Sequence, residues 1–521
     1  MSATDSSTSK LSRRLTVQDA SFLYAESRNG PTHIGSILFF EGHIPFQDLV
    51  RHIEGRLHLL PRYRQKLAEV PFRLNHATWE DDPDFRIKNH VIRHVLPNGS
   101  TDEDLVRAAM EANERGLDRS RPLWEMHSFE GLSGNRTAVL SRVHHCLVDG
   151  VSGIELLTVM MDFKRDAAPS EPPRETSKAE WAPKSLPSAV EKVFDATFDA
   201  AQTQFGIYRR FSETLLKPSE FMNRAKLLTE AGLSFLRMLR PIAPVPWARR
   251  LVTSRRALAW SSFSFAEIRA IRNALGGTVN DVVLTLLTEG AARYLEHHGY
   301  DLKGQNFRIG CPVNVRKSED SKALGNRVSM MFPEIPAEPM TPAARLAAVN
   351  EETERIKKSA APQGLELLME GTEIIPPGLA SYGGQLAMNA LDGAVALSSL
   401  LPELPVDPRF TIPGFGMSFL ATNVPGVMVP QYLAGHECLD MVGVVPLAAN
   451  VGYSVAITSY NQKLYFGMMS EPTSMPDVDI MKGYVDEVFQ ELRAAAGITT
   501  STETHTLQPS PTNNGDARAA A

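Results

Sequence analysis

The feature that most constrains this chain is a short apolar run, Thr137-Ala138-Val139-Leu140-Ser141-Arg142-Val143, that stops on two histidines and turns sharply through His144-His145-Cys146-Leu147-Val148-Asp149-Gly150. Its β-formers and the closing Asp-Gly predict a buried strand that delivers its last side chains to a loop. Adjacent side chains on a strand face opposite ways, so the two imidazoles cannot share one role. A neutral imidazole, with an ordinary pKa of about 6.5, can take a proton from an attacking hydroxyl and return it to a leaving group. His145 is therefore the candidate general base, and His144 faces the packed interior as structural support. Asp149 would orient the loop by bonding its backbone or pairing with an arginine, while Gly150 supplies a backbone conformation closed to other residues. A solvated polar loop is the plain alternative, and the Asp-Gly pair weighs against it. A zinc site built from His144, His145, Cys146 and Asp149 is disfavoured, because opposed neighbours do not converge on one ion and no second His/Cys cluster stands nearby.

At 521 residues the chain exceeds the usual single core, so two domains are expected, and a 43% hydrophobic content can fill both. A net charge of −6 argues against general nucleic-acid binding. Three scattered cysteines, Cys146, Cys311 and Cys438, form no CxxC pair and no disulfide framework, which fits a reducing, cytoplasmic setting. The Ser/Thr-rich residues Met1 to Lys10 lack the apolar core of a secretory signal and are expected to be disordered. No stretch carries the roughly 20 uninterrupted apolar residues of a membrane span. Gly378 to Leu401 comes nearest, but glycines and Asp392 break it, so it reads as a small-residue helix packed inside the protein. Between Arg224 and Arg256 lie Lys226, Arg237, Arg240, Arg249, Arg250 and Arg255, interleaved with Leu227, Leu233, Phe235 and Trp247. Pro241, Pro244 and Pro246 end any helix near Arg240. Such a region suits anionic lipid headgroups, or equally an amphipathic helix bracing two domains.

Strand and helix signals alternate along the chain. An extended run at Thr32 to Phe40 precedes a helix from Phe46 to Leu60 with Leu49, Ile53, Leu57 and Leu60 on one face. Further extended segments lie near Phe85 to Leu96, and Thr101 caps a helix over Asp102 to Arg115. Strands at Leu123 to Phe129 and Arg136 to Val143 follow, and helical spacing resumes after Val151. A Pro/Ser/Glu/Lys-rich crossover separates a second block that starts near Arg256, with a strand through Phe263 and helices at Phe265 to Leu275 and Val279 to His297. Its strands are Phe307 to Val313, Arg327 to Pro333, Gly416 to Thr422 and Cys438 to Val445. A hairpin over Tyr453 to Met469 turns at Asn461-Gln462, and a last helix runs from Pro476 to Ala495. The expected organisation is a disordered 1–15, a lobe over 16–165 carrying the histidines, a linker and basic crossover over 166–255, a second lobe over 256–497, and a disordered tail over 498–521. The fold class is mixed α/β.

Several ordered motifs carry a resemblance. His144 to Gly150 matches HHxxxDG, Pro122-Leu123-Trp124 a PLW motif, Asn280-Asp281 an ND motif, and Thr422-Asn423-Val424-Pro425-Gly426 an NVPG segment. Pro312 to Arg316 and Leu324-Gly325-Asn326 fall in register with them. Together they resemble the bacterial wax ester synthase/acyl-CoA:diacylglycerol acyltransferase family, within the wider group of chloramphenicol acetyltransferase and peptide-synthetase condensation domains. The resemblance covers Thr16 to Ala495. Cys146 departs from the family's usual alanine, and Val427 from a common proline.

The resemblance implies two chloramphenicol-acetyltransferase-like lobes with a channel between them. It also implies transfer of an acyl group from acyl-CoA to diacylglycerol or a long-chain alcohol, with no covalent intermediate, no metal and no cofactor beyond acyl-CoA as co-substrate. His145 would be the general base. Asn280 is a candidate oxyanion donor, although an asparagine opening a helix is as readily its N-cap. Trp124, Asn423, Gly426 and Gly150 are candidate substrate-binding positions, with core packing the competing role for Trp124 and backbone freedom for Gly426. His33 is either tunnel lining or structural, and Met330-Met331 and Met468-Met469 either tunnel or core. The expected setting is cytoplasmic and peripheral to a membrane or lipid-droplet surface. A condensation-type transferase acting on another alcohol or amine, and a non-catalytic lipid-surface scaffold, are the competing functions.

Overall fold

The computed structural model describes residues 14–70, 75–147, 157–168, 242–248, 251–314, 328–358, 417–447 and 451–498. Asp149, Gly150, residues 151–156 of the helix expected after Val151, the basic residues up to Arg240 with Arg249 and Arg250, the segment Gly378 to Leu401, Val315-Arg316, Leu324-Gly325-Asn326 and both termini lie outside the described residues.

The first half runs α1 (Val17–Ala25), β1 (His33–Phe40), α2 (Phe46–Arg56), β2 (Gln65–Ala68), β3 (Thr78–Asp81), β4 (Val91–Ser100), α3 (Asp102–Asn113), β5 (Trp124–Leu132) and β6 (Thr137–His144). The second runs β7 (Ala257–Ser264), α4 (Phe265–Leu275), α5 (Val279–His297), β8 (Asn306–Asn314), β9 (Val328–Met331), β10 (Glu334–Pro336) and α6 (Pro342–Lys358). It continues through β11 (Phe419–Val424), β12 (Tyr432–Leu433), β13 (His436–Val444), β14 (Tyr453–Tyr460), β15 (Lys463–Ser470) and α7 (Val478–Ala495).

Two mixed sheets form the frame. The first has the order β12-β13-β1-β6-β5-β4; the second has the order β10-β8-β11-β14-β15-β7, with β9 added on β8. A small β2-β3 ladder stands apart from both. In the first sheet β6 is central, antiparallel to β1 and to β5, so its apolar run is covered on both edges. Leu49, Ile53 and Leu57 of the α2 region join Phe40, Val139 and Leu140 in one buried cluster, as their helical spacing requires. In the second lobe α5 is buried along most of its length, from Asp281 to Ala292, so its polar side chains need partners within the core. Its start is a capping box: Thr278 accepts from the Asp281 N–H, and the Asp281 carboxylate accepts from the Thr278 N–H at 2.8 Å. Buried Glu289 on this helix pairs with Arg345 of α6 at 3.0 Å, which satisfies a charge the core would otherwise expel.

One segment crosses between the lobes. Strands β12 and β13 belong by sequence to the second lobe, 256–497, yet β13 pairs antiparallel with β1 and completes the first sheet. Without it, β1 would be a bare edge in an apolar strand. β13 then lies against the second sheet, where Tyr460 donates to the Cys438 carbonyl at 2.7 Å and Tyr465 to Asp440 at 2.7 Å. The approach is so close that a Cβ on Gly467 would stand 2.1 Å from the Gly443 carbonyl oxygen, so only glycine fits there. Arg256, read from sequence as part of a basic surface, is instead buried here and donates to the Asn29 carbonyl at 2.6 Å.

Candidate active site

The end of β6 sends its two histidines to different environments. His144 is fully buried; His145 is half-buried, and its N–H donates to the Thr32 carbonyl at 3.0 Å. The His145 ring stacks on Phe22 of α1, with centroids 3.7 Å apart and planes 8° from parallel. On His144, Nδ1 accepts from the Cys146 N–H at 3.1 Å, which places the ring proton on Nε2. That nitrogen faces the Thr32 hydroxyl at 3.1 Å and the Glu26 carboxylate at 3.5 Å. Burial opposes ionisation of Glu26, yet His144 and then Arg119 outweigh it and hold the carboxyl at about 2. His144 thus ties β6 to the segment between α1 and β1.

His33 lies beside His144 in the β1–β6 register and is also enclosed, its Nε2 bonded to the Asn113 side chain at 2.8 Å. Burial, with nearby Arg142, pushes its pKa down to about 3, so it is an uncharged interior residue rather than tunnel lining. Trp124, named above as a substrate-binding candidate, is a core residue. It is 1% exposed, its indole N–H donates to the Tyr63 carbonyl at 2.8 Å, and its ring stacks on His90. Leu123 is buried with it. Met468 and Met469 are buried in the two main cores as well.

Asn280 and Asn423, 143 residues apart, come within reach of each other: the Asn423 amide donates to Asn280 Oδ1 at 3.5 Å. Asn280 is half-buried in the first turn of α5 and is not its N-cap, because Thr278 and Asp281 already occupy that role. Asp281 is anchored further by the Thr353 hydroxyl of α6 at 2.8 Å. Asn423 is the penultimate residue of β11, and the Gly426 N–H donates to the Ser459 hydroxyl at 2.8 Å, pinning the turn that follows. Val427, the departure from proline, accepts from the Asn461 N–H at 3.0 Å, so its turn is held by hydrogen bonding instead of ring rigidity. Cys146 is a buried free thiol whose pKa burial raises, a small apolar filler rather than a nucleophile. Among the described residues, no group of three His, Cys, Asp or Glu side chains is arranged to hold a metal ion.

Two family models match in order. The wax ester synthase/diacylglycerol acyltransferase catalytic domain matches residues 15–283, and the corresponding C-terminal domain matches residues 324–493. The chain belongs to the wax ester synthase/diacylglycerol acyltransferase family. The catalytic-domain match contains the His144-His145 turn and Asn280, and the C-terminal match contains Asn423 and Gly426. Among curated relatives, a Mycobacterium tuberculosis protein named probable diacylglycerol O-acyltransferase tgs1 is 28% identical over 91% of this chain and 94% of its own length. A second from that species, tgs2, is 29% identical over 92% and 98%. Among solved structures, a wax ester synthase/diacylglycerol acyltransferase from Marinobacter aquaeolei has a TM-score of 0.60 at 20% identity, covering 93% of this chain and all of that one. The first condensation domain of the CDA synthetase has a TM-score of 0.55 at 13% identity, covering 94% and 98%. These likenesses establish the two-lobed acyltransferase fold.

Phe22, Glu26, Thr32 and Arg119 were not singled out from sequence. Phe22, Glu26 and Thr32 contact the histidines from 112 or more residues away, Arg119 joins them through Glu26, and no local pattern encodes such a meeting.

Proposed function

We propose that this protein is an acyl-CoA-dependent O-acyltransferase that esterifies diacylglycerol, and long-chain fatty alcohols where they are offered, using His145 as the general base. The observation that carries the reading is the split at the end of β6: one imidazole is locked in the core, and its neighbour is held half-buried by a backbone hydrogen bond and a flat aromatic stack. Family membership supplies the reaction class.

In this mechanism His145 removes the acceptor hydroxyl proton as the oxygen attacks the thioester carbonyl. The tetrahedral adduct collapses, the C–S bond breaks, and the imidazolium returns its proton to the departing thiolate of CoA. Such acid–base assistance is worth about 10²- to 10⁴-fold. An amide donor aimed at the oxyanion adds on the order of 3 kcal/mol, and Asn280 is the candidate: its Oδ1 is turned to Asn423, which sets the plane of its amide. Asp149 and Gly150 would shape the loop beyond His145.

Lipid acceptors bring the protein to a membrane or droplet face. Supporting this are the basic composition before β7, exposed Arg255, and Val252 left 62% exposed beside it. No helix among the described residues is long and apolar enough to cross a membrane. Replacing Arg249, Arg250 and Arg255 with Gln is expected to weaken co-sedimentation with anionic liposomes, and unchanged sedimentation would count against a lipid-surface role for this region.

The reaction is tested by following CoA thiol release with a panel of acyl-CoA donors, diacylglycerols and fatty alcohols. His145→Ala is expected to abolish release in a normally folded protein. Full turnover by that variant would remove His145 as the base, and thiol release equal with and without acceptor would remove acyl transfer.

A further inference from the structure

We infer that the C-terminal end of α1 positions the catalytic imidazole, with Phe22 seating the His145 ring and Glu26 locking the backbone that carries it; this rests on His145 being the base.

Three connections converge on one turn. His145 hangs by its N–H from the Thr32 carbonyl. Thr32 is in turn held by α1: its N–H donates to Glu26 Oε1 at 3.3 Å, and its hydroxyl donates to the Phe22 carbonyl at 3.1 Å while facing His144. The second Glu26 oxygen is ion-paired with Arg119 at 2.5 Å, which fixes the carboxylate from the far side. A shift of Glu26 therefore reaches the root of the His145 side chain through a single residue. Phe22 sets the remaining freedom, rotation of the ring. An aromatic ring lying 3.7 Å above the imidazole blocks one face and leaves the nitrogen-bearing edge to be presented.

The same stack has an electrostatic consequence. The negative face of a benzene ring attracts a cation, so it favours imidazolium over imidazole. That is the form His145 takes once it has accepted the hydroxyl proton. The charged and titratable groups around this turn are Asp19 and Glu26 from α1, Arg119 after α3, Arg62 after α2, and His144 and Cys146 on the turn itself. Arg119 is committed to Glu26. The Phe22 ring face favours a protonated His145, so removing it lowers the pH at which the free base appears, while Glu26 acts through the Thr32 backbone.

The test compares Phe22→Leu, Phe22→Tyr and Glu26→Gln with His145→Ala in the full-length protein, measuring kcat, the KM for acyl-CoA, and the acid limb of kcat/KM against pH. Phe22→Leu keeps the bulk and loses the π face. It is expected to lower kcat on the order of 10-fold, as a loosened base does, to leave KM little changed, and to move the acid limb to lower pH. Phe22→Tyr should restore the limb. Glu26→Gln keeps the shape and removes the charge that pairs with Arg119, and it should lower kcat with KM little changed; it carries the test where Phe22→Leu fails to fold. If folded Phe22→Leu and Glu26→Gln show wild-type kcat and an unmoved limb, α1 is packing only and the inference is overturned. Activity in His145→Ala would instead sink the identity of the base, a result separable from the first.

Discussion

His144 and His145 share a peptide bond, yet the first closes β6 inside the core and the second opens the turn beyond it. The buried partner, with Glu26 and Thr32, is a structural knot. His144→Ala is expected to cost about 2 kcal/mol, because it leaves the Glu26 carboxylate short of a donor; urea unfolding measures this, and a wild-type midpoint would contradict it. Acid should act through the same polar layer. Glu26 and Glu125 are both held at about 2 against an ordinary 4.5; burial works against this, and for Glu125 the hydrogen bond from His127 and the Arg142 ion pair outweigh it. Their contribution is complete above pH 4.5 and is lost as pH falls toward 2. His33, held uncharged with a pKa near 3 where the unfolded chain titrates at 6.5, acts in the same direction over a higher window, since the unfolded form takes up the proton first. Stability is therefore expected to decline from pH 6.5 downward and to steepen below 4.5. Glu125→Gln should flatten the lower part; an unaltered profile in chemical denaturation would count against that assignment.

At the scale of elements, those whose signals are local were readable. Phe265–Leu275 and Val279–His297 match their expected helices end for end, and the β14–β15 hairpin turns at Asn461 and Gln462, both with positive φ of 43° and 63°. Of the expected helix residues Leu57 to Leu60, Leu57–Leu59 tighten instead into one 3₁₀ turn ahead of Pro61, which cannot continue an α-helix. The extended stretch expected over Arg327 to Pro333 holds β9 alone, and β10 follows just beyond it. α1, α6, β2, β3, β10 and β12 were not expected at all: α1 and the strands are short, whereas α6 does open on a cap signal, Thr341-Pro342, where the Thr341 hydroxyl accepts from the Ala344 N–H at 3.4 Å. The Thr278-Asp281 box explains why Asn280 is not spent on capping. Thr278→Ala is expected to cost about 1 kcal/mol, read as a lower thermal midpoint, and an unchanged midpoint would show that the box contributes nothing net.

For the whole molecule, the decisive element is β13, which leaves one lobe by sequence and closes the other by hydrogen bonding. Residues 1–255 expressed alone are therefore expected to aggregate or stay unfolded, since β1 would present an unpaired apolar edge; a soluble monomer with intact circular dichroism would contradict this. Gly467→Ala should destabilise the joined protein by about 1–3 kcal/mol, as overpacking does, because its Cβ would collide with the Gly443 backbone. The amino-acid sequence by itself determined the fold class, the strand ending in His144-His145, the long helices and the ordered motifs, because periodicity, capping and turn chemistry act over a few neighbouring residues. Only the tertiary structure decided that Trp124 and His33 belong to the core, that Arg256 is buried between the lobes, that Asn280 meets Asn423, and that α1 backs the His145 ring. Those outcomes depend on which distant surfaces exclude water against each other, and contacts between residues far apart in the chain leave no trace in local pattern.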